Sequence, residues 1–193
     1  AESLEDFTIP MEKAQILNAL NTKYIILAPN MQPYENPYAF GNVWFVDSLR
    51  LVSGPDEALA SLQSTALRSE ALIEPADAAI FAESGLKPGS ASDLDQIELV
   101  HYAPNELRFR YRCSESRVAV FSEVYYPEGW HAWLADSDQS CPEGNASAEV
   151  KRSMSAQGEQ VPLFRADWIF RAAVLPAGEH TLIMRYDPES VIA

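Results

Sequence analysis

Apolar and polar residues alternate along the second half of the chain, and this alternation predicts β-strands. The segments that carry it are 95–102, 106–113, 117–126, 130–134, 161–165, 167–175 and 180–187. Turn-forming residues separate neighbouring segments, with Pro104 and Asn105 in the first turn and residues 127–129 in a later one. Short strands joined by tight turns bury their apolar faces when two antiparallel sheets stack. The pattern therefore predicts an antiparallel β-sandwich of the jelly-roll or immunoglobulin-like kind.

The first half mixes helical and strand-like patterns. In order, they predict a helix at 10–21, strands at 23–27 and 42–52, a helix at 56–64, a short strand at 71–73 and a helical turn or two at 76–83. Residues 85–92 concentrate Gly, Pro and Ser and are typical of a linker. We therefore expect a mostly β protein with two parts, an α+β subdomain at 1–90 packed on a β-sandwich domain at 91–193. The polar stretch 135–160 is predicted to be a long loop.

The charge of the chain argues against several classes of partner. The 193 residues carry 28 acidic and 14 basic side chains, a formal net charge of -14. Such a surface repels nucleic acids and anionic lipid headgroups, so we expect no nucleic-acid partner. The sequence contains no apolar run of about 18 residues and no signal peptide at its start. Because it begins without Met and stops within a segment at 190–193, we expect a piece of a longer protein.

Cysteines and paired aspartates are the residues that would form a covalent or metal site. Cys113 and Cys141 are compatible with one disulfide in an oxidising compartment, and the sequence leaves open whether they are bridged. Asp-x-Asp pairs occur at 93–95 and 136–138, but neither has the ligand ladder of a Ca²⁺ site. We expect solvated acidic loops there, with no metal and no cofactor.

Aromatic and arginine residues suggest a different kind of site. Large aromatic side chains near one turn would form a sugar-stacking platform if they were exposed, and the alternative is that they form core. The candidates are Trp44, Tyr126, Trp130 and Trp133. Arg165 and Arg171 flank a strand and are suited to bidentate contact with a carboxylate or phosphate, or to pairing with acidic side chains of the surface. Neither a nucleophile elbow nor a catalytic triad is recognisable, so we predict no catalytic residues.

Three stretches of the chain resemble a known family. They are 17–26 (LNALNTKYII) with 36–46 (NPYAFGNVWFV), then 121–130 (FSEVYYPEGW), then 165–171 (RADWIFR) with 174–180 (VLPAGEH). In this order and spacing they resemble the C-terminal extracytoplasmic region of YfhO-type bacterial membrane proteins, which are polytopic and related to lipid-linked-sugar glycosyltransferases. One difference is the insertion at 136–159, where such proteins have a short Asp-Gly hairpin.

The resemblance implies a location and a set of partners. It implies a soluble domain on the extracytoplasmic face of a bacterial cytoplasmic membrane, with the transmembrane part of the same polypeptide as its partner. The catalytic carboxylate of the parent protein is then expected in membrane loops outside this chain. Our leading hypothesis is a non-catalytic domain that contacts a glycan or lipid-linked sugar. The alternatives are a free-standing secreted carbohydrate-binding module and a structural or assembly domain without a ligand.

Overall fold

The fold is known from a computed structural model, which describes residues 10–80, 92, 94–136 and 158–187. Within these residues the protein is mostly β with a small α+β N-terminal part, as the sequence predicts. The strands are β1 (Tyr24–Ile25), β2 (Tyr34–Glu35), β3 (Val43–Val46), β4 (Ser48–Leu51), β5 (Glu70–Ile73), β6 (Gln96–Ala103), β7 (Glu106–Cys113), β8 (Arg117–Val124), β9 (Trp130–Asp136), β10 (Glu159–Gln160), β11 (Leu163–Ala166), β12 (Phe170–Leu175) and β13 (Gly178–Tyr186). Helical segments include the α-helices α1 (Gln15–Ala19) and α2 (Pro55–Ser61) and 3-10 helices at Met11–Lys13 and Pro75–Asp77.

Two large sheets stack to form the sandwich. One has the strand order β10-β9-β13-β7-β6 and the other β3-β8-β12-β11-β5-β4, while β1 and β2 form a separate hairpin. Neighbouring strands are antiparallel except β4 and β5, which are parallel and joined through α2. A parallel pair needs such a crossover because a tight turn cannot return the chain to the same end of the sheet.

Alternating side chains of the two sheets fill the layer between them. On β7 the residues Leu107, Phe109 and Tyr111 point into this layer, and the arginines between them point outward. The facing sheet contributes Phe121, whose ring lies 4.8 Å from that of Phe109 in an edge-on arrangement. This period of two is the one that predicted the sandwich from sequence.

The six-stranded sheet is buried on its other face as well. Strand β8 sends Val118 and Val120 into a second core, where they pack with Trp44 and with side chains of α2 such as Ala58. A strand buried on both faces has a nearly continuous apolar sequence, and β8 (RVAVFSEV) has one at its start. The α-helical part of the first half therefore covers the sandwich from one side.

The predicted strand at 42–52 is two strands, which is a correction to the sequence analysis. Only Asp47 separates β3 from β4, yet these strands are the opposite ends of the six-stranded sheet. The sheet must therefore curl until its two ends meet at Asp47. A single strand cannot pair with β8 along its first half and with β5 along its second half without such a break.

The two predicted parts of the chain share one sheet. Strands β3 and β5 come from the first part, and they pair with β8 and β11 of the second.

The predicted helix at 10–21 is interrupted at Ala14, so a 3-10 turn precedes the short α1. The predicted linker at 85–92 lies outside the described residues except for Ser92, as does most of the predicted loop, whose end forms β10. No helix in the described ranges is long and apolar enough to cross a membrane.

Candidate functional site

The structure separates the four candidate aromatic residues. Trp44 is 2% exposed and lies in the second core, where its indole N–H donates to the Leu67 carbonyl at 3.0 Å. The rings of Phe40 and Phe170 contact it edge-on, with centroids 5.2 and 5.9 Å away. Trp44 is therefore closed to a ligand, and its role is packing.

Strand alternation places the two tryptophans of β9 on opposite faces of their sheet. Trp130 packs against the core between the sheets, as do Ala132 and Leu134. Trp133 therefore lies on the outer face, with the ring of His131 5.9 Å from its own. Tyr126 is 50% exposed beyond the end of β8, and its hydroxyl lies 3.5 Å from a carboxylate oxygen of Glu128. The four candidates do not form a single platform.

Arg171 is a buried cation between the sheets. It is 2% exposed, and no described carboxylate forms an ion pair with it. Its Nη1 donates to the Met184 sulfur at 3.7 Å and its Nη2 to the Val124 carbonyl at 3.4 Å, both long contacts. Its Nε has no hydrogen-bond partner among the described residues. Burial lowers the pKa of Arg171, and the negative charge of Glu123 opposes that shift.

The ring of Trp130 supports this guanidinium. The central carbon of the Arg171 guanidinium lies 4.2 Å from the ring centroid, a cation–π distance, and Tyr186 packs on Trp130 at 5.5 Å. Local geometry explains the placement, because a register shift between Phe170 and Arg171 turns the strand just where it pairs with the end of β8. Phe170 then faces the second core and Arg171 the layer between the sheets.

Arg165 is the direct neighbour of Arg171 on β11, so the two side chains leave the same face of the sheet. Unlike Arg171 it has a partner, since its Nη2 contacts the Glu74 carboxylate at 2.9 Å. Burial raises the pKa of Asp77. A backbone hydrogen bond from Arg165 and the positive charge of Arg165 oppose this increase. Burial and the charge of Asp77 likewise raise the pKa of Tyr125.

We call this set of residues the Arg171 corner. It consists of Glu74, Asp77, Tyr125, Trp130, Arg165 and Arg171. Arg171 is as buried as Trp44, so a ligand would reach this corner at the half-buried Trp130 ring and at Arg165, whose side chain is 38% exposed. An aromatic ring near an accessible guanidinium group is suited to hold a ring-shaped ligand with a negative charge. Glu74 is held by Arg165, so the corner does not present two free carboxylates for acid–base catalysis.

An open groove of about 650 Å³ lies between the edge strands β3 and β6, away from the Arg171 corner. Most of its charged side chains are matched in pairs. Arg110 lies 3.7 Å from Glu98, and Arg112 lies 2.8 Å from Glu179. Arg68 instead donates to the Phe40 carbonyl at 2.9 Å. With most of its charges paired in this way, the groove is a weaker candidate for an anion.

The predicted disulfide is not decided by the structure. The Cys113 thiol is buried, lies 3.2 Å from the Pro176 carbonyl and forms no disulfide within the described residues. Burial raises its pKa to about 11. Because Cys141 lies outside the described ranges, the bridge stays a prediction.

Asp95 serves the fold. It accepts hydrogen bonds from the backbone of Ser92 and Ser114 and from Arg117 at 3.1 Å. Burial raises the pKa of Asp95, but these hydrogen bonds and the charge of Arg117 outweigh it and lower the pKa overall. The described residues contain no group of three or more His, Cys, Asp or Glu side chains that could hold a metal ion. Asp93, Asp138 and the side chain of Asp136 lie outside the description.

Sequence reasoning missed several buried polar residues. Asp167 is fully buried, and Asn18 and Asn36 are joined by a hydrogen bond of 2.9 Å. A signal existed for the asparagines, because each interrupts an otherwise apolar or turn-rich run. The indication that Asp167 is buried was weaker, because an Asp in a strand-like segment is usually found on the solvent-exposed face.

No family model, curated protein or solved structure matches this chain. The resemblance to YfhO-type proteins therefore stays a prediction from the sequence.

Proposed function

We propose that this chain is the non-catalytic, extracytoplasmic domain of a YfhO-like polytopic membrane protein, and that it contacts a saccharide at the Arg171 corner. The observation that carries the proposal is where two of the resembling stretches meet. Residues 121–130 supply Tyr125 and Trp130, and residues 165–171 supply Arg165 and Arg171. The segments that suggest the family are thus the ones that build the corner.

The chemistry of the corner favours a sugar over an unrelated ligand. Trp130 is half-buried, with the guanidinium of Arg171 over its ring. Pyranose rings pack their C–H faces on aromatic rings, and guanidinium groups bind carboxylates or phosphates. The corner therefore suits an acidic saccharide, such as one carrying a uronate or phosphate group.

Within the described ranges, the histidines and the Ser122–Glu123 pair lie on different parts of the molecule. His101 and His131 lie on the outer side of the five-stranded sheet, away from the Arg171 corner. Ser122 and Glu123 lie on β8 without a histidine partner among the described residues. Catalysis by the parent protein would then depend on loops outside this chain.

A second candidate is a free-standing carbohydrate-binding module, which would use a different surface. The pair formed by Trp133 and His131 on the outer face of the five-stranded sheet favours it. Across the sheet, Trp133 is aligned with Ile183 and Arg108, so an aromatic side chain lies beside charged and apolar ones. Such a sheet face is one place where a long neutral polysaccharide could bind.

Calorimetric titration against acidic and neutral oligosaccharides separates the two candidates. We expect acidic sugars to bind the native chain with a Kd of about 1 mM or tighter. Trp130→Ala should weaken this binding about tenfold, and the matched variant Trp133→Ala should leave it unchanged. If Trp133→Ala weakened binding and Trp130→Ala did not, the binding site would lie on the outer face of the five-stranded sheet. Failure of every sugar to bind would contradict a saccharide role.

A separate assay tests the non-catalytic part of the proposal. The purified chain is incubated with activated sugars, acceptors and oligosaccharides, and products are followed by chromatography. We expect neither transfer nor hydrolysis. Turnover by the isolated chain would show that this domain itself is an enzyme.

A further inference from the structure

One of the four tryptophans of the chain is exposed. Trp168 is 40% exposed, whereas Trp44 is buried and Trp130 and Trp133 are half-buried. No other aromatic ring in the described ranges stacks on Trp168. Its side chain is therefore the most accessible indole of the molecule.

The backbone at Trp168 has a conformation that bulky residues rarely adopt. Asp167 has a φ of 50° and Trp168 a φ of 69°, in the turn between β11 and β12. The Ile169 N–H donates to the Asp167 carbonyl at 2.8 Å, which closes a three-residue γ-turn centred on Trp168. A γ-turn with a positive central φ is rare and strained, and only glycine adopts such a φ without cost. Backbone strain of this kind clusters at active sites and ligand clamps, so it points to a functional role.

Hydrogen bonds hold the strained turn on both sides. On one side, the Asp167 N–H donates to the Leu72 carbonyl at 2.9 Å, and the Asp167 carboxyl accepts from the Leu72 N–H at 2.8 Å. On the other side, the Ile169 carbonyl accepts from the Tyr125 N–H at 2.7 Å. The segments on either side of the turn therefore impose its conformation and fix the position of the Trp168 backbone.

These neighbouring segments are the ones that carry the Arg171 corner. Tyr125 is itself a member of the corner, and Glu74 follows β5 directly. Arg165 lies three residues before Trp168 and Arg171 three residues after it, and the two arginines are paired across β11 and β12. The register thus places the turn at the end of the sheet where the corner lies. Trp168 adds an exposed aromatic residue to a corner whose own tryptophan is half-buried.

We propose that the ring of the bound saccharide stacks on the Trp168 indole while the Arg165 guanidinium binds its acidic group. This inference rests on the proposed function and deepens it, because it names the two accessible side chains that contact the sugar. The Arg165 side chain is 38% exposed, whereas Arg171 is 2% exposed. Aromatic faces pack on the C–H face of a pyranose, and a guanidinium forms paired hydrogen bonds with a carboxylate. The two contacts together favour an acidic saccharide over a neutral one.

Quenching of tryptophan fluorescence by acrylamide tests the stacking contact in the native chain. Trp168 is the exposed tryptophan, so it should account for most of the quenching. A saturating glucuronate-containing disaccharide should shield this indole and lower the quenching, and Trp168→Phe should lack the sugar-sensitive part of the signal. If titration shows that the sugar binds while the quenching stays unchanged, the proposal is overturned.

Calorimetric titration of variants tests the contribution of the ring to affinity. Trp168→Asn removes the ring without adding backbone strain, because Asn tolerates a positive φ better than most residues. It should weaken binding of the disaccharide about tenfold, while Trp168→Phe keeps an aromatic face and should stay within about threefold of the native affinity. Trp133→Asn, on the outer face of the five-stranded sheet, is the matched control and should bind as the native chain does. Thermal melting checks that the variants fold.

A neutral counterpart of the sugar tests the part assigned to Arg165. A disaccharide with glucose in place of glucuronate lacks the carboxylate, so the native chain should bind it about tenfold more weakly. Equal affinity for the two disaccharides would overturn the contact with Arg165.

The results distinguish failure of this inference from failure of the proposed function. If Trp130→Ala weakens binding and Trp168→Asn does not, the saccharide site stands but Trp168 is not part of it. If Trp168→Phe binds as weakly as Trp168→Asn, the contact is not aromatic stacking and the inference is wrong. If the native chain binds no acidic sugar, the inference and the proposed function are both wrong. Should Trp168→Asn fail to fold, the quenching experiment on the native chain decides.

Discussion

At the scale of single residues, Asp167 is the least expected feature of the molecule. It has a positive φ of 50° in the turn between β11 and β12, and its carboxyl group is buried. One oxygen accepts from the Leu72 N–H at 2.8 Å, and the other has no partner among the described residues. Burial raises the pKa of Asp167 to about 7, and the hydrogen bond from Leu72 only partly opposes this. In the folded protein the carboxyl group is therefore mostly protonated below a pH of about 7.

The raised pKa gives a stability profile with a definite sign. The contribution of the protonated Asp167 is complete below a pH of about 4, where the unfolded chain is also protonated, and is lost as the pH rises through about 7. Asn keeps the acceptor and tolerates positive φ, so Asp167→Asn should gain stability relative to the native chain between pH 5 and pH 8, on the order of 3 kcal/mol. Urea unfolding at several pH values measures this. Asp187→Asn, at an exposed site, is the control, and a pH-independent difference for Asp167→Asn would contradict the assignment.

We expect substitution by Met to have different effects on stability at the two arginines of the Arg171 corner. Arg171→Met removes a buried cation that leaves no carboxylate unpaired, so stability should stay within about 1 kcal/mol of the native value or rise. Arg165→Met leaves the buried Glu74 without its partner and should cost about 1–3 kcal/mol. Thermal and urea unfolding compare the two. A large loss of stability for Arg171→Met would contradict this expectation and show that the buried arginine is needed for the fold.

At the scale of elements, sequence patterns predicted most strands but not how they connect. Alternation located β6 to β9 and β13 within one or two residues because each has one face in the layer between the sheets. The strand predicted at 167–175 begins at Phe170, since Asp167 and Trp168 adopt positive φ in a turn. The break at Asp47 is not visible in the sequence pattern, because β3 and β4 are both apolar enough to be predicted as one strand. Which strand pairs with which depends on contacts far apart in sequence.

The hairpin formed by β1 and β2 depends on its asparagines more than on apolar packing. Asn36→Ala should cost about 1–3 kcal/mol, because the buried oxygen of Asn18 loses its donor. Amide hydrogens of residues 22–38 should exchange faster in this variant while those of β8 and β12 remain protected. Asn105→Ala, at an exposed turn, should change stability by less than about 0.5 kcal/mol. Equal losses for both variants would show that the amide network does not hold the hairpin.

At the scale of the whole molecule, the class of fold was predictable and the site only in part. Trp130, Arg165 and Arg171 were identified by residue type, and the structure brings them together at one corner. Trp44 was chosen for the same reason but lies in the second core. The sequence could not show which tryptophan is buried and which is accessible. A tryptophan in an apolar strand has the same local sequence pattern whether its face of the sheet is covered or open. The cover on Trp44 comes from α2 and the residues after it, and that packing is not visible in the local pattern.

The central claim is that this domain belongs to a membrane protein whose catalytic residues lie elsewhere. Determining the reading frame on both sides of the chain tests it most directly. The account predicts several apolar spans of about 20 residues, long enough to cross a bilayer, in the same frame. A frame that encodes only a signal peptide before this chain and a stop codon after it would contradict the account, and the carbohydrate-binding module would become the leading explanation.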